Sequence, residues 1–484
     1  MSSSEKELPV WRQPLPENEE ERHQLEHLKK ENLLLDARYP LESDKIMLDS
    51  MTGHNGRFWI LFVILGGLVM MWLGTWTYQM IWGLGVTGLN RPVMWAVYIV
   101  NFVYFIGIGH AGTFISAAFR ALKFDSRRAL SRAAEIVTVF GLMAAAMFPI
   151  IHLGRSWKFY YLVPFPTQRQ IWPSFHSPLM WDFVAISTYL SCSMLFAYIG
   201  LLPDLAMARD HTTGWRHKFY RFFALGWRGT EAEWAHQETA LNVFTYCIIP
   251  VMFSVHTIVS WDFAMAIQPG WHSTIFGPYF VIGALFSGAG AVIIAMIAVR
   301  QLLRLQYFIR PEHFNAIAMF MLILSLAWDY FFFNDMIVPW YGQEPVEKTI
   351  TALMTGGRVA PLFYLMLFSN VVLPPLLLWS KKLRTNLVVL FIVSFFVQIG
   401  MYIERVIIVP ISLGQNELPF SWGIYFLQKP ETLITLGVFG FMAFNYLWFT
   451  KLFPIVPVWE VHEGQVMQTV RRIGRALLPA RPSE

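Results

Sequence analysis

The sequence predicts an all-α polytopic membrane protein with about ten transmembrane helices, and three observations predict it. Of 484 residues, 55% are hydrophobic and only 14% charged, against roughly 25% charged in an ordinary soluble domain. Aromatic residues reach 16%, with 20 Trp and 41 Phe, a supply suited to lipid-facing surfaces and headgroup belts. The apolar residues also fall in continuous runs near the roughly 20 that carry a helix across hydrocarbon, rather than in the alternating stretches of about ten that build a barrel. In lipid such runs satisfy their backbone as helices. Membrane lipid is therefore the surrounding medium, and the net charge of +5 is read along the membrane and not as a nucleic-acid signal.

Residues 1–57 form a polar arm with mixed Glu and Lys, in which Leu25, Leu28 and Leu33 to Leu35 can share one helix face. The apolar core and cleavage site of a signal peptide are missing, so the arm is expected on the cytoplasmic side. Ten apolar runs follow, at about 58–80, 93–119, 133–153, 178–202, 240–262, 275–299, 314–333, 360–380, 386–409 and 431–450. The sequence divides accordingly into the arm (1–57), a first span with its loop (58–92), spans two to five (93–262), spans six to nine (263–409), a last span (410–452) and a cytoplasmic tail (453–484). Of 37 Lys and Arg, 29 fall on the side of the two termini and 7 on the other, Arg405 lying inside span nine. The positive-inside rule puts both termini in the cytoplasm.

The two cysteines, Cys192 and Cys247, lie in apolar runs without any C-x-x-C or C-x-x-C-H. That excludes cluster ligation and c-type haem attachment. A disulfide between them stays open, buried free thiols being the simpler reading.

Charge inside a span is costly, roughly 2.5–3.5 kcal/mol for Asp, Lys or Arg at mid-bilayer on insertion scales, so each instance asks for a reason. At 1.5 Å per residue His152 stands roughly 29 Å along span three, at the outer edge. Asp182 lies one turn into span four beside Trp181, Asp262 closes span five, Asp329 sits in the outer third of span seven, and Glu404 and Arg405 lie near the outer end of span nine. Five helices thus carry charge toward one face. His152 and Asp262 can also be read as helix ends touching water. Arg405 can serve a site or simply neutralise Asp329 or Asp262. Glu404 and Arg405 are adjacent and expected on different faces, hence not paired with each other.

If the helix continues, Arg155 shares the face of His152. The following loop holds Trp157, Tyr160, Tyr161 and Trp172, either an interface belt or a flat slot for a quinone ring. His152 and Asp182 would then bond to the ring oxygens and accept hydroquinone protons. His110, in Gly107-Ile108-Gly109-His110-Ala111-Gly112, stands on a polar stripe with Asn101, Tyr104, Thr113 and Ser116, either a proton path or bonds between packed helices. His256 and His152 differ in depth and offer no axial pair for a b-haem.

The stretch His152-Leu153-Gly154-Arg155-Ser156-Trp157-Lys158-Phe159-Tyr160, followed by Ser177-Pro178-Leu179-Met180-Trp181-Asp182, resembles the signature region of the NrfD/polysulfide-reductase membrane subunits, with Ser156 where that family has Pro. The layout and the His version of the motif resemble its ActC branch, the quinol-oxidising membrane subunit of alternative complex III. The resemblance implies two side-by-side four-helix bundles, spans two to five and six to nine, with two peripheral helices. It also implies menaquinol or ubiquinol, most simply menaquinol, bound at the periplasmic edge by His152, Arg155, Asp182, Trp181 and Asp262, with His152 and Asp182 catalytic. Asp262, Asp329, Arg405, His110 and Glu404 would belong to a proton route. No metal, haem or iron–sulfur cluster is expected in this chain. The implied partners are a periplasmic iron–sulfur subunit, multihaem cytochrome c subunits and a second NrfD-like membrane subunit, in a quinol:electron-acceptor oxidoreductase of a respiratory or photosynthetic chain. A quinone-reducing relative serving a periplasmic reductase, and a secondary transporter, are the alternatives.

Overall fold

The computed structural model describes residues 43–53, 56–122, 124, 127–306, 308–461, 470–473 and 476–479; the leucine face at Leu25 to Leu35 lies outside them. Ten helices are long and apolar enough to cross a membrane: α1 Gly56–Trp82, α2 Val97–Ala121, α3 Arg127–His152, α4 Pro178–Asp210, α5 Glu231–Ala264, α6 Phe276–Leu302, α7 Pro311–Gly342, α8 Ala360–Leu378, α9 Leu387–Ile411 and α10 Lys429–Leu452. They coincide with the ten predicted runs. Several run past the hydrocarbon: α4, α5 and α7 have 33, 34 and 32 residues, close to 50 Å each at 1.5 Å per residue. Hydropathy stops where polar residues begin, whereas the helix stops only where its caps do. Thr230, for example, starts α5 with a capping box, accepting from Glu233 N while Glu233 accepts from Thr230 N. Among the described residues the departure from helix and loop is a small antiparallel hairpin, β1 Val470–Ile473 with β2 Ala476–Pro479, in the predicted tail.

Helices α2 and α6 form the centre, 89% and 78% buried over their apolar cores. Packing runs in two cycles: α2 on α3, α3 on α4, α4 on α5 and α5 on α2, then α6 on α7, α7 on α8, α8 on α9 and α9 on α6. The cycles meet along α2–α6 and α5–α6, while α1 and α10 pack on each other outside, with α10 touching α3 and α2. Small residues set these approaches. A Cβ on Gly112 would stand 2.0 Å from the Ala134 carbonyl oxygen across α2–α3, and one on Gly288 would stand 2.5 Å from Ala111 across α2–α6. Two spans carry π turns, Phe368–Val372 in α8 just before Pro374 and Ile407–Ile411 in α9 around Pro410. Proline lacks an N–H and crowds the preceding turn, so the ladder shifts register there.

Both cysteines are free, but Cys247 is exposed and Cys192 only half-buried. The expectation of buried thiols is corrected: in a membrane protein an apolar neighbourhood is as often the lipid-facing side as the interior.

Candidate functional site

Helix α3 ends at His152, and the chain turns through Gly154 at φ +69°, where a Cβ would press on Leu84. The helix therefore does not continue, and the shared face expected for His152 and Arg155 is not formed: Arg155 is exposed. Ser156, at the position where the motif departs from proline, is buried and ties the turn down. Its Oγ donates to Ile150 O (2.9 Å) and accepts from Trp76 Nε1 (3.2 Å). The His152 ring lies edge-on to Tyr98 at 6.5 Å, and its buried Nδ1 has no hydrogen-bond partner.

Pro178 at the first turn starts α4, and one turn later Asp182 is 4% exposed. Its carboxyl lies close enough to that of Asp262, near the end of α5, for the two to interact electrostatically. Neither Asp182 oxygen, nor Asp262 Oδ1, has a hydrogen-bond partner. Two carboxyls without a cation or a donor are an unusual thing to bury, and here they stand at the same end of the molecule as the unpartnered imidazole. Trp181 and Trp261 flank the pair, edge to face at 5.9 Å, with Trp181 Nε1 donating to Phe175 O (2.8 Å). Trp157 and Trp172 are 58% and 57% exposed, so they do not wall an enclosed slot.

Sequence reasoning missed the supports of this site. Gln79, fully buried on α1, donates to Ile151 O (3.1 Å) and accepts from the Tyr98 hydroxyl, fixing the ring that touches His152. Glu431, fully buried in the first turn of α10, accepts from Gly88 N (2.9 Å) and Gln428 N (3.0 Å). Nearby Tyr425, in the outer loop before α10, has its hydroxyl pushed up in pKa by burial and then by the Glu431 charge. The period of α1 could have marked Gln79, a lone amide in a helix of mean apolar character; Glu431 looks like an ordinary capping residue until its burial is known.

In the second cycle Arg405 pairs with Glu404, against the expectation that adjacent residues point apart. Both side chains are about 95% buried, and the Arg stem is long enough to fold back to the neighbouring position; with water excluded, the nearest opposite charge wins. Arg405 also donates to Met401 O (3.2 Å), and no ion pair joins it to Asp329 or Asp262 among the described residues. Asp329 sits about 27 Å into α7, a helix that runs past the apolar span 314–333 to Gly342. It is half-buried with Oδ1 unpartnered.

His110 lies deep in α2, its ring nitrogens against Ile106 O (2.6 Å) and Met252 O (3.1 Å). The ring of His256 stands 4.5 Å away, fully buried with neither nitrogen bonded. Its neighbours on the stripe make helix-to-helix bonds: Asn101 to Thr435 and Tyr402, Tyr104 to Gln398, Ser116 to Glu135. At the opposite end of the molecule Arg132 and Asp204 form a buried ion pair, and Asp204 also accepts from Trp459 N (3.1 Å). Among the described residues no group of three or more His, Cys, Asp or Glu has a metal-holding arrangement.

The profile of the polysulphide reductase family NrfD matches residues 85–416, a stretch that takes in α2 to α9 entire. The chain belongs to the NrfD family. The NrfD chain is 26% identical over 250 residues to a protein of Halobacterium salinarum described as the C-type membrane component of a dimethyl sulfoxide reductase, over 51% of this chain and 53% of that one. It is 21% identical over 218 residues, 44% of this chain and 50% of the other, to the C component of the selenate reductase of Mesobacillus selenatarsenatis. The chain spans about half the length of these curated relatives. The matched family segment leaves out α1 and α10, which are also the two helices outside the packing cycles.

Proposed function

We propose that this NrfD chain is the quinol-oxidising membrane subunit of an electron-transfer complex, and that the quinol ring binds at the outer ends of α3, α4 and α5. The meeting of Asp182 and Asp262 with no other partner carries the reading. A hydroquinone gives up two protons with its two electrons, and a carboxyl pair with an imidazole at the same end of the molecule can accept protons and pass them on. His152 and Asp182 act as the first acceptors, Asp262 as the second member of the pair, Trp181 as an apolar flank, and Arg155 as a mouth residue. The substrate is menaquinol or ubiquinol. Electrons leave at the outer surface to a cluster-bearing partner, since the sequence has no cluster or c-haem motif of its own.

The two relatives support the direction of flow. A reductase of an external acceptor consumes electrons, so a membrane subunit that serves one draws them from quinol; the NrfD-type subunit of a periplasmic reductase therefore stays as the second reading, with quinol oxidised at the same site. Family membership and charges gathered at one end speak against a secondary transporter, whose sites lie near mid-bilayer. Within this proposal the chain sits in a bacterial inner membrane with both termini cytoplasmic, and the two packing cycles serve as two bundles. Its partners are a periplasmic iron–sulfur subunit, multihaem cytochromes c and a second NrfD-like subunit, as in alternative complex III. Proton translocation would use His110, Asp262, Asp329, Glu404 and Arg405.

Purified complex in nanodiscs, given quinol and a soluble electron acceptor, tests the assignment. His152→Ala is expected to lower quinol oxidation at least about 100-fold, the lower end for a lost proton-transfer group; an unchanged rate refutes the site. In proteoliposomes, Asp329→Asn is expected to abolish charge separation while turnover continues, and unchanged coupling removes Asp329 from the route.

A further inference from the structure

A separate cavity lies in the other half of the molecule. It occupies about 220 Å³ between the outer ends of α6, α7, α8 and α9, beneath the short helix Pro345–Thr355. Its walls are apolar and aromatic, including Phe276, Phe332, Phe363, Met336 and Met354, yet Asp335, Glu344, Glu347, Glu404 and His272 also line it. Three of the four carboxylates are held in place: Asp335 accepts from Ser273 Oγ (2.9 Å), Glu347 from Gly270 N (2.9 Å), and Glu404 pairs with Arg405. No Lys or Arg is among the lining residues. Val338, among the lining residues, is 69% exposed, and its neighbours in sequence Trp340 and Tyr341 are 64% and 82% exposed, so the cavity borders an apolar, aromatic stretch of surface of the kind that meets lipid and the interface.

This chemistry narrows the occupant. Carboxylates accept hydrogen bonds and repel anions, which excludes the phosphate of a phospholipid head. A bare cation would leave the Phe and Met walls without a role. A ring that carries hydroxyl donors on an apolar body meets both. The volume is below the roughly 300–1,000 Å³ of sites that enclose a whole ligand, so it takes a head group whose tail stays outside. Both cycles also place a carboxylate toward the outer end of their fourth helix, Asp262 on α5 and Glu404 on α9.

We propose that this cavity is a second quinol-class binding site, separate from His152 and Asp182, with Asp335 and Glu347 accepting the hydroxyl protons in hydrogen bonds. The ligand class rests on the function proposed above; the cavity and its acidic lining do not. No redox step is assigned to it.

The test is photolabelling of the intact complex in nanodiscs with an azido-substituted ubiquinol, followed by peptide mapping. Adducts are expected in two places, near residues 152–182 and near residues 332–354, and unlabelled ubiquinol in excess should displace both. Thr351→Trp, which fills the cavity, is expected to lower the second adduct about tenfold or more, equivalent to 1.4 kcal/mol, while the first adduct persists and reports that the variant is folded. Asp335→Asn should weaken the second adduct in the same selective way. Adducts at the first place alone overturn the second site. Adducts at neither place overturn the quinol reading itself. A second adduct that phosphatidylethanolamine displaces as well as ubiquinol does, or that survives Thr351→Trp undiminished, shows a lipid crevice and refutes the proposal.

Discussion

Replacing the two outer carboxyls singly and together is the sharpest test of the proposed chemistry, because the structure makes a quantitative demand on the double variant. Asp182 and Asp262 lie close together, with both Asp182 oxygens and Asp262 Oδ1 free of hydrogen-bond partners, and are proposed to act as one proton-accepting unit. Asp182→Asn keeps the volume and supplies an amide N–H to the Asp262 carboxylate, which stays bonded but can no longer exchange a proton with its partner. Loss of a positioned proton-transfer group costs about 10²–10⁴ in rate, or about 2.7–5.4 kcal/mol in barrier. Each single variant is expected in that range. Independent groups would give a double variant slower by the product, about 10⁴–10⁸. A single unit gives a double variant no slower than the worse single by more than about threefold, a coupling of several kcal/mol, beyond what residues in contact usually show. The assay is steady-state oxidation of a soluble quinol by the nanodisc-held complex with a dye acceptor, with binding of a quinone-site inhibitor measured in parallel to confirm folding. Multiplicative rate losses, or singles within threefold of the parent, would refute the reasoning.

Three further outcomes follow from packing and burial. Gly112→Ala puts a Cβ 2.0 Å from Ala134 O and 2.5 Å from Thr138 Oγ1, forcing α2 and α3 apart; a loss of about 1–3 kcal/mol should appear as a lower melting temperature in detergent, while Gly74→Ala, with nothing within 4 Å, should melt as the parent does. Arg132→Met strands buried Asp204 and is expected to cost about 3–5 kcal/mol, with much of it recovered by adding Asp204→Leu. Gln79→Leu leaves the Tyr98 hydroxyl without its partner, while Ile151 O keeps its bond from Gly154 N; the cost is about 1–3 kcal/mol, and by loosening the ring against His152 the change should raise the quinol KM more than it lowers kcat.

The helices were legible in the sequence because the membrane imposes a length and a composition that a single chain displays directly. The outer cluster was legible for the same reason: in a chain this poor in charge, Asp182 and Asp262 stand out. What could not be read was anything that depends on register between helices. The contact of His110 with His256 requires knowing how α2 and α5 are aligned, and the Asp182–Asp262 meeting requires the same of α4 and α5. The Glu404–Arg405 pair was misjudged because helical-wheel angles describe Cβ directions and not the reach of a long side chain. Arg132 and Asp204 were hidden by hydropathy, which assigned them to loops although α3 and α4 extend past the apolar core. Arg155 was misplaced by a single glycine in the left-handed region.

The pairing of α1 with α10 has a consequence for how the molecule is made. Of the ten described spans the two that clasp each other are made first and last, Trp82 and Leu452 standing 370 positions apart. At about 5–20 residues per second of synthesis, α1 waits on the order of 20–70 s in the bilayer before its mate exists. It is built to wait: only 11% of its apolar core is buried even in the finished molecule, so lipid can stand in for α10 over most of its surface. Its one deeply buried amide, Gln79, finds Tyr98 and Ile151 much earlier, on the second and third helices to arrive. The first crossing is thus anchored to the outer site early and clasped late, and a chain cut short before α10 would leave the helices α2 to α9 made but that outer clasp open.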